Sequence, residues 1–295
     1  MKLFTLLLFF SIFSFASEDY AKSHSINPAE TVYDIKRTVS YTYLLKNESA
    51  KLLKEVDFKI YAPVSRTSYQ LSTKLTSNLP SRLIKDNFGN QILHFKLVTI
   101  APYATTIVTV KAELLMSSLA QKVTLEVSPF LKPERYIEST DPAISAVAVG
   151  FQKQEAAALA AEIFAWTTKN IAKGSYTAEN RGALRALADK SGDCSEQAFL
   201  FTALCRNKQI PTAYISGFYT IKNTRLKAHN FHNWAMFYDK EHWYVADPQA
   251  KIFKEKSSNF IAFTIHGGDS QQTMQNNHRY LVSGSGTENL KVSMK

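Results

Sequence analysis

The sequence predicts an α+β fold in which an antiparallel β-sandwich precedes a region of helices and antiparallel strands. Residues 30–130 contain short segments of alternating apolar and polar residues, separated by turn signals and without a helical period. Beyond residue 154 the apolar residues recur at helical spacing, and strand-like segments follow only after the helices. At 295 residues, with 45% hydrophobic and 20% charged residues, the chain can bury a substantial core.

The N-terminus has the composition of a secretory signal peptide. Lys2 is followed by an apolar run over residues 3–13 and by the small-residue end Ser14-Phe15-Ala16. The run is shorter than the roughly 20 residues that a membrane-spanning helix needs. We therefore expect cleavage of residues 1–16 after Ala16, and a mature chain that is periplasmic or secreted and has no transmembrane span.

The rest of the chain divides into three segments where its composition changes. Prolines between residues 129 and 142 mark a junction between an N-terminal β-sandwich domain at 17–132 and an α+β domain at 133–266. A Gln/Asn/Gly-rich stretch then opens a C-terminal tail at 267–295 with a short strand. We predict strands near residues 31–45, 56–62, 82–84, 92–95, 105–110, 123–127, 214–221, 231–238, 243–247, 260–265 and 290–293, and helices near 154–173, 183–188 and 194–205.

A cysteine opens the most apolar of the predicted helices. Asp193, followed three residues later by Glu196, has the pattern of a capping box, which places Cys194 at the first helical position. Unpaired backbone N–H groups and the positive end of the helix dipole favour a thiolate there and can contribute to an oxyanion hole. Asp193 opposes this effect as a neighbouring anion, so activation of the thiol requires a nearby histidine.

The two cysteines of the chain are predicted to have different roles. On one helix, the 11 residues between Cys194 and Cys205 correspond to about 16 Å, whereas a disulfide needs Cα atoms within about 7 Å. Cys205 is expected to be a small core residue. Cys194 is expected to be a free thiol with a chemical use.

A predicted hairpin at residues 231–249 brings a histidine to a carboxylate. If the loop at Lys240-Glu241 has two or four residues, Asp247 is the diagonal neighbour of His232 on the same face. A loop of three residues would move Asp247 to the other face. A set with Cys194 as nucleophile, His232 as base and Asp247 as orienting group therefore predicts an even loop and favours cysteine acyl-transfer chemistry.

The other histidines of the chain are interpreted differently. His229 is an alternative base, but it does not share a face with Asp247 in this register. The histidines between residues 229 and 242 lack metal-site spacing, so we expect no metal and no cofactor. His266 and His278 lie in polar segments and are expected to be solvated.

The net charge of the chain indicates which binding partners are favoured. The formal net charge is +10, and removal of Lys2 with the signal peptide leaves +9. This charge fits an anionic neighbourhood such as an envelope polymer or lipid head groups. No cluster of Lys and Arg is dense enough, or interleaved with aromatic residues, to predict binding of nucleic acid.

The motifs around these residues resemble the core of the transglutaminase-like superfamily. The resemblance covers residues 136–249 and rests on GDCSEQAFLFTALCRNKQIPTAYISGFY, HNWAMFY and WYVADPQ in that order. It implies a papain-like α+β core with a Cys-His-Asp triad, carried here by Cys194, His232 and Asp247. By position it also implies that Ser195 and Tyr176 lie near the oxyanion hole and that Trp234 contributes to substrate binding. The sandwich at 17–132 resembles the N-terminal domains that accompany this core in secreted bacterial proteins.

The resemblance implies a secreted cysteine enzyme that cleaves or transfers an amide of a peptide or protein through a thioester on Cys194. Ser195 stands where the eukaryotic crosslinking enzymes of the superfamily have Trp, which argues against calcium-dependent crosslinking. The aqueous envelope favours hydrolysis over transamidation. The alternative hypothesis is a non-catalytic envelope binding or assembly protein that uses the same core as a scaffold.

Overall fold

The computed structural model describes residues 32–177, 179–267 and 270–295. The strands, in chain order, are β1 (Ile35–Asn47), β2 (Leu53–Ala62), β3 (Gln70–Ser77), β4 (Arg82–Lys85), β5 (Gln91–Ile100), β6 (Thr105–Met116), β7 (Ala172–Lys173), β8 (Ser191–Gly192), β9 (Thr212–Tyr219), β10 (Thr224–Arg225), β11 (Phe231–Asp239), β12 (His242–Asp247), β13 (Ile252–Phe253), β14 (Phe260–Ile265), β15 (Tyr280–Ser283) and β16 (Leu290–Met294). The helices are α1 (Pro142–Ala148), α2 (Ala156–Asn170), α3 (Ala183–Asp189), α4 (Cys194–Asn207) and α5 (Ser270–Thr273).

Two sheets form the predicted sandwich. One has the order β10-β1-β6-β3, with β16 also on β1, and the other has the order β15-β2-β5-β4. Apart from the short parallel pair of β10 with β1, these pairings are antiparallel. Alternate residues of each strand point inward, so that Tyr41 from β1 and Phe58 from β2 share one apolar core.

One predicted strand of the sandwich is absent. Residues 121–127 have no strand assignment, although Val123, Leu125 and Val127 alternate with polar residues. These three side chains pack against the apolar cluster that contains Phe130 and Trp243. The alternation was therefore a signal of one-sided burial and not of strand pairing, and the prediction of a strand at 123–127 is wrong.

The C-terminal segment belongs to the sandwich sheets. β15 pairs with β2, and β16 pairs with β1. These pairings join residues more than 200 positions apart, and the described residues from 32 to 295 belong to one compact unit. The division into domains at 17–132, 133–266 and 267–295 stays a prediction.

The second half of the chain has the predicted α+β organisation. α4 is buried on all sides, with α1, α2 and α3 packed around it, and the sheet of order β13-β12-β11-β9-β14 covers it. Cys205 is 0% exposed within this helix, which confirms its predicted place in the core. The α+β class with preceding antiparallel sheets is confirmed.

The predicted signal peptide at residues 1–16 lies outside the described residues. Among the helices that the structure does describe, none combines the length and the apolar character needed to span a bilayer.

Candidate active site

Cys194 is the first residue of α4. The side chain of Asp193 accepts a hydrogen bond from Ser195 N at 2.8 Å, and Glu196 accepts one from Asp193 N at 3.1 Å. This is the predicted capping box. Cys194 is half-buried, and both cysteines of the chain are free thiols. The thiol thus lies at the end of the helix where N–H groups point outward and the dipole favours a negative charge.

Backbone donors surround the carboxylate of Asp193. Besides Ser195 N, Thr177 N donates to its Oδ2 atom at 3.0 Å. Burial, followed by hydrogen bonding and charge repulsion from Asp193, raises the pKa of Glu196. The N–H dipoles of Ser195 and Thr177 point at the Asp193 carboxylate and offset part of its field at the neighbouring sulfur.

The hairpin of β11 and β12 has the predicted even loop. Tyr238 pairs with Trp243 and Asp239 with His242, so the loop is Lys240-Glu241 alone. Both loop residues have positive φ, 46° and 68°, as a two-residue hairpin turn requires. The register therefore places His232 and Asp247 on the same face.

His232 and Asp247 are in direct contact. His232 Nε2 lies 2.6 Å from Asp247 Oδ2, and Asp247 is 1% exposed. The second oxygen of Asp247 accepts a hydrogen bond from Ala250 N at 3.0 Å. Burial lowers the pKa of His232, but hydrogen bonds to Asp247 and Cys194 outweigh it and raise the pKa to about 10. Since Nε2 faces the carboxylate, Nδ1 is the ring nitrogen left for Cys194.

Trp234 lies beneath the site. It is 1% exposed, and its ring is nearly parallel to that of His232, with centroids 6.3 Å apart. It also packs on Phe260 in the apolar cluster on the side of the sheet away from α4. The structure therefore corrects the expectation that Trp234 binds substrate, because its side chain supports the imidazole from below.

Asn233 is a site residue that the sequence interpretation missed. Its Nδ2 atom donates to Ser195 Oγ at 2.9 Å and lies 3.8 Å from Cys194 Sγ. Asn233 is 7% exposed, and within the described part of the chain its Oδ1 atom has no hydrogen-bond partner. The sequence does contain a signal for this role. Asn233 is a polar residue on the same face of β11 as Ala235 and Phe237, which are packed in the core.

Asn233→Asp should lower the reactivity of Cys194 at neutral pH. A carboxylate in place of the amide puts a like charge about 4 Å from a thiolate, which raises the pKa of the thiol. We expect the rate of alkylation by iodoacetamide at pH 7 to fall by roughly tenfold, and its pH profile to move to higher pH. Asn170→Asp adds the same charge at the end of α2 and should leave the profile unchanged. Equal profiles for the native protein and Asn233→Asp would contradict this role.

Cys194 opens into a cleft of about 530 Å³. Its described walls come from the loop before α3, the start of α4, the segment leading into β11 and the segment leading into β15. The lining residues are Tyr176, Thr177, Asn180, Cys194, Ser195, Ala228, His229, Phe231, Asn233, His278 and Arg279.

The other predicted site residues occupy distinct places around this cleft. Tyr176 lies on its wall and is 78% exposed. Ser195 is buried beside Cys194 and accepts the hydrogen bond from Asn233. His229, the alternative base, lies on the wall of the cleft in the turn Ala228–Asn230. The carboxylate of Asp247 is hydrogen-bonded to His232.

His266 is not a solvated tail residue, which corrects the expectation from the sequence. Its Nε2 atom lies 2.7 Å from Ser216 Oγ, and its ring packs on Tyr214 with centroids 4.6 Å apart. Burial, with a smaller contribution from the charge of His278, lowers the pKa of His266 to about 3. His278 is exposed, and its Nε2 atom lies 3.1 Å from Asn180 Nδ2.

As the pH falls, the free energy of unfolding should decrease more steeply in the native protein than in the His266→Gln variant. Because the pKa of His266 is lowered to about 3 in the folded state, against about 6.5 when unfolded, the unfolded chain binds about one more proton between these values. The stability that neutral His266 contributes is thus present above pH 6.5 and is lost as pH falls towards 3. Urea denaturation of both proteins between pH 7 and pH 4 measures the difference in slope. His229→Gln, at an exposed position, should follow the native protein, and a parallel curve for His266→Gln would contradict the assignment.

Comparisons with known proteins identify the family of the domain that contains this site. Residues 145–248 match the sequence profile of the transglutaminase-like superfamily. A search of curated proteins gives no significant match. Because the matched range contains the thiol, the imidazole and the carboxylate described above, the match supports a cysteine-based enzyme in general terms.

One solved structure shares the fold of this chain. The structure of a proposed cysteine protease from Cytophaga hutchinsonii aligns with 88% of this chain and 87% of its own, with a TM-score of 0.61 and 16% identity. The periplasmic domain of TgpA from Pseudomonas aeruginosa aligns with 72% of this chain and 88% of its own, with 12% identity and a TM-score of 0.39. The first of these structures shares the fold of the chain, and the sequence match identifies residues 145–248 as a domain of the transglutaminase-like superfamily.

Proposed function

We propose that the protein is a cysteine acyl-transfer enzyme that acts on an amide of a peptide or protein. One observation carries the proposal: a half-buried thiol at a capped helix start lies in a cleft beside a histidine that is hydrogen-bonded to a buried carboxylate. Hydrogen bonds to Asp247 and Cys194 outweigh the effect of burial and raise the pKa of His232 to about 10. This direction favours an imidazolium beside a thiolate at neutral pH.

The proposed reaction proceeds in two steps. The Cys194 thiolate attacks the carbonyl carbon, and the tetrahedral intermediate collapses when His232 gives its proton to the leaving nitrogen, which departs as an amine. The product is a thioester on Cys194. His232, now neutral, takes a proton from water as the water oxygen attacks the thioester carbon, which releases a carboxylic acid and restores the thiolate and imidazolium. Asp247 holds the imidazole in position throughout, and N–H groups at the start of α4 can stabilise the oxyanion.

Hydrolysis is the favoured outcome of this chemistry. The leader-like composition of residues 1–16 supports a periplasmic or secreted location, where water is the abundant acceptor. The acyl donor is then a peptide or protein of the cell envelope. With a primary amine as acceptor, the same thioester would give transamidation.

A peptide library, analysed by mass spectrometry with and without added methylamine, tests the proposal. New chain termini indicate peptidase activity, conversion of glutamine to glutamate indicates amidase activity, and methylamide products indicate transamidation. We expect Cys194→Ala to abolish the products and Cys205→Ala, which removes the core thiol, to retain them. If no product depends on Cys194 and the thiol shows no unusual reactivity, the protein is instead a non-catalytic binding protein that uses the domain as a scaffold.

A further inference from the structure

The C-terminal segment places a cation on the wall of the cleft. Arg279 immediately precedes β15, and its carbonyl oxygen accepts a hydrogen bond from Tyr61 N at 3.2 Å. Its neighbour His278 lies within hydrogen-bond distance of Asn180 in the loop before α3. The position of Arg279 is thus fixed from both sides, by β2 of the sandwich and by the loop before α3.

The guanidinium of Arg279 is oriented by an aromatic ring. Its Cζ atom lies 5.4 Å from the centroid of Phe231, which also lines the cleft. Stacking on an aromatic face holds a guanidinium plane while leaving its edge N–H groups able to donate. Within the described residues, no Asp or Glu side chain forms a salt bridge with Arg279.

Apart from the proposed Cys194 thiolate, the described lining of the cleft can carry only positive charge at neutral pH. Among its described lining residues Arg279 is the one permanently charged side chain, His229 and His278 can only add positive charge, and none is Asp or Glu. The formal charge of the whole chain is +10. A described lining that holds a guanidinium and no Asp or Glu side chain attracts an anionic group and repels a cationic one.

We propose that Arg279 binds a carboxylate of the acyl donor close to the amide that Cys194 attacks. This inference rests on the proposed function and adds the substrate class, an acidic peptide. A guanidinium edge matches the two oxygens of a carboxylate, and a pair formed at the wall of a cleft is less screened than one on an open surface. Arg279 is accordingly a specificity-determining residue, and it lies more than 200 positions after Tyr61 of β2, whose N–H donates to its carbonyl oxygen.

Two alkylating reagents of nearly the same size test the proposal directly. Iodoacetate carries a carboxylate and iodoacetamide a neutral amide, and both react with Cys194 by the same displacement of iodide. The ratio of their second-order rate constants, iodoacetate over iodoacetamide, therefore reports the preference of the cleft for a carboxylate. We expect Arg279→Gln to lower this ratio by about threefold to tenfold and Arg279→Lys to retain most of it. Arg82→Gln, which removes the same charge from the exposed strand β4, should leave the ratio unchanged.

The rate of alkylation by iodoacetamide distinguishes a failure of the Arg279 proposal from a failure of the proposed function. A rapid rate at neutral pH that depends on His232, combined with an equal ratio in native and Arg279→Gln proteins, overturns the role of Arg279 and leaves the proposed function standing. Equal losses with both reagents in Arg279→Gln would show a structural role and also overturn it. A slow iodoacetamide rate that is indifferent to His232 contradicts the proposed function itself.

The source of the carboxylate is resolved with synthetic peptides. Three versions of a peptide cleaved by the native protein are compared: an acidic side chain with an amidated C-terminus, the matching Gln side chain with a free C-terminus, and the Gln side chain with an amidated C-terminus. The version whose kcat/KM falls about threefold to tenfold in Arg279→Gln identifies the carboxylate that Arg279 binds. Equal effects of Arg279→Gln on all three versions would overturn the proposal.

Discussion

His232→Ala should slow the alkylation of Cys194 by iodoacetamide at pH 6 by roughly a hundredfold. In the native protein, hydrogen bonds to Asp247 and Cys194 raise the pKa of His232 to about 10, so a protonated imidazole lies beside the sulfur at pH 6. We expect this positive charge to favour the reactive, ionised sulfur. Without the imidazole, a thiol of pKa about 8.5 is ionised to less than about 1% at pH 6. Mass spectrometry of the alkylated protein over time gives both rates.

Two controls make this result specific to the site. His242→Ala removes a histidine at the start of β12, outside the cleft lining, and should leave the rate unchanged. Alkylation of the Cys205→Ala variant at the native rate would show that the modified thiol is Cys194. A rate at pH 6 that is the same with and without His232 would mean that the histidine does not activate the thiol, and the acyl-transfer proposal would lose its main support.

Gly217→Ala should destabilise the fold by about 3 kcal/mol. A Cβ atom built on Gly217 would lie 2.1 Å from the carbonyl oxygen of Ile261 and 2.9 Å from Cη2 of Trp234. The first clash is with the backbone of β14, next to the bulge between Ala262 and Thr264, so no side-chain movement relieves it. The second pushes on the indole that lies beneath His232, and Gly217 is itself the β9 partner of His232.

Urea denaturation of Gly217→Ala measures the loss of stability. The iodoacetamide rate, taken under conditions in which the variant remains folded, should also fall because Trp234 and His232 are displaced together. Gly150→Ala is the matched control, since the nearest neighbour of its new Cβ atom would be Val147 O, at a distance of 3.3 Å. A Gly217→Ala protein as stable as the control would show that β14 can move away from β9.

Much of the site follows from short-range signals in the sequence. The capping box at Asp193 and Glu196 spans four residues, and the burial of Cys205 follows from the apolar helix around it. The even loop at Lys240-Glu241 was predicted from the requirement that His232 and Asp247 share a face, and the structure has that loop. Capping, helical period and strand alternation are all set by residues close in the chain, which is why they can be predicted from the sequence.

Other features depended on contacts between distant parts of the chain. Burial of Trp234 follows from the approach of Phe260, and the low pKa of His266 follows mainly from burial against Tyr214 and Ser216. The alternation at residues 123–127 predicted a strand because it reports which side chains are buried, but it cannot report whether a pairing partner is present. Such partners are chosen by the packing of the whole molecule.

The sequence by itself determined the α+β class, the helix that begins at Cys194 and the hairpin that carries His232 and Asp247. Only the tertiary structure decided that Asn233 contacts the thiol and that Arg279, from the segment read as a tail, lies on the wall of the cleft. The physical reason is the range of the interactions. A cap or a two-residue turn is stabilised by its immediate neighbours, whereas the place of Arg279 depends on β15 pairing with a strand more than 200 residues earlier, and no local pattern specifies that pairing.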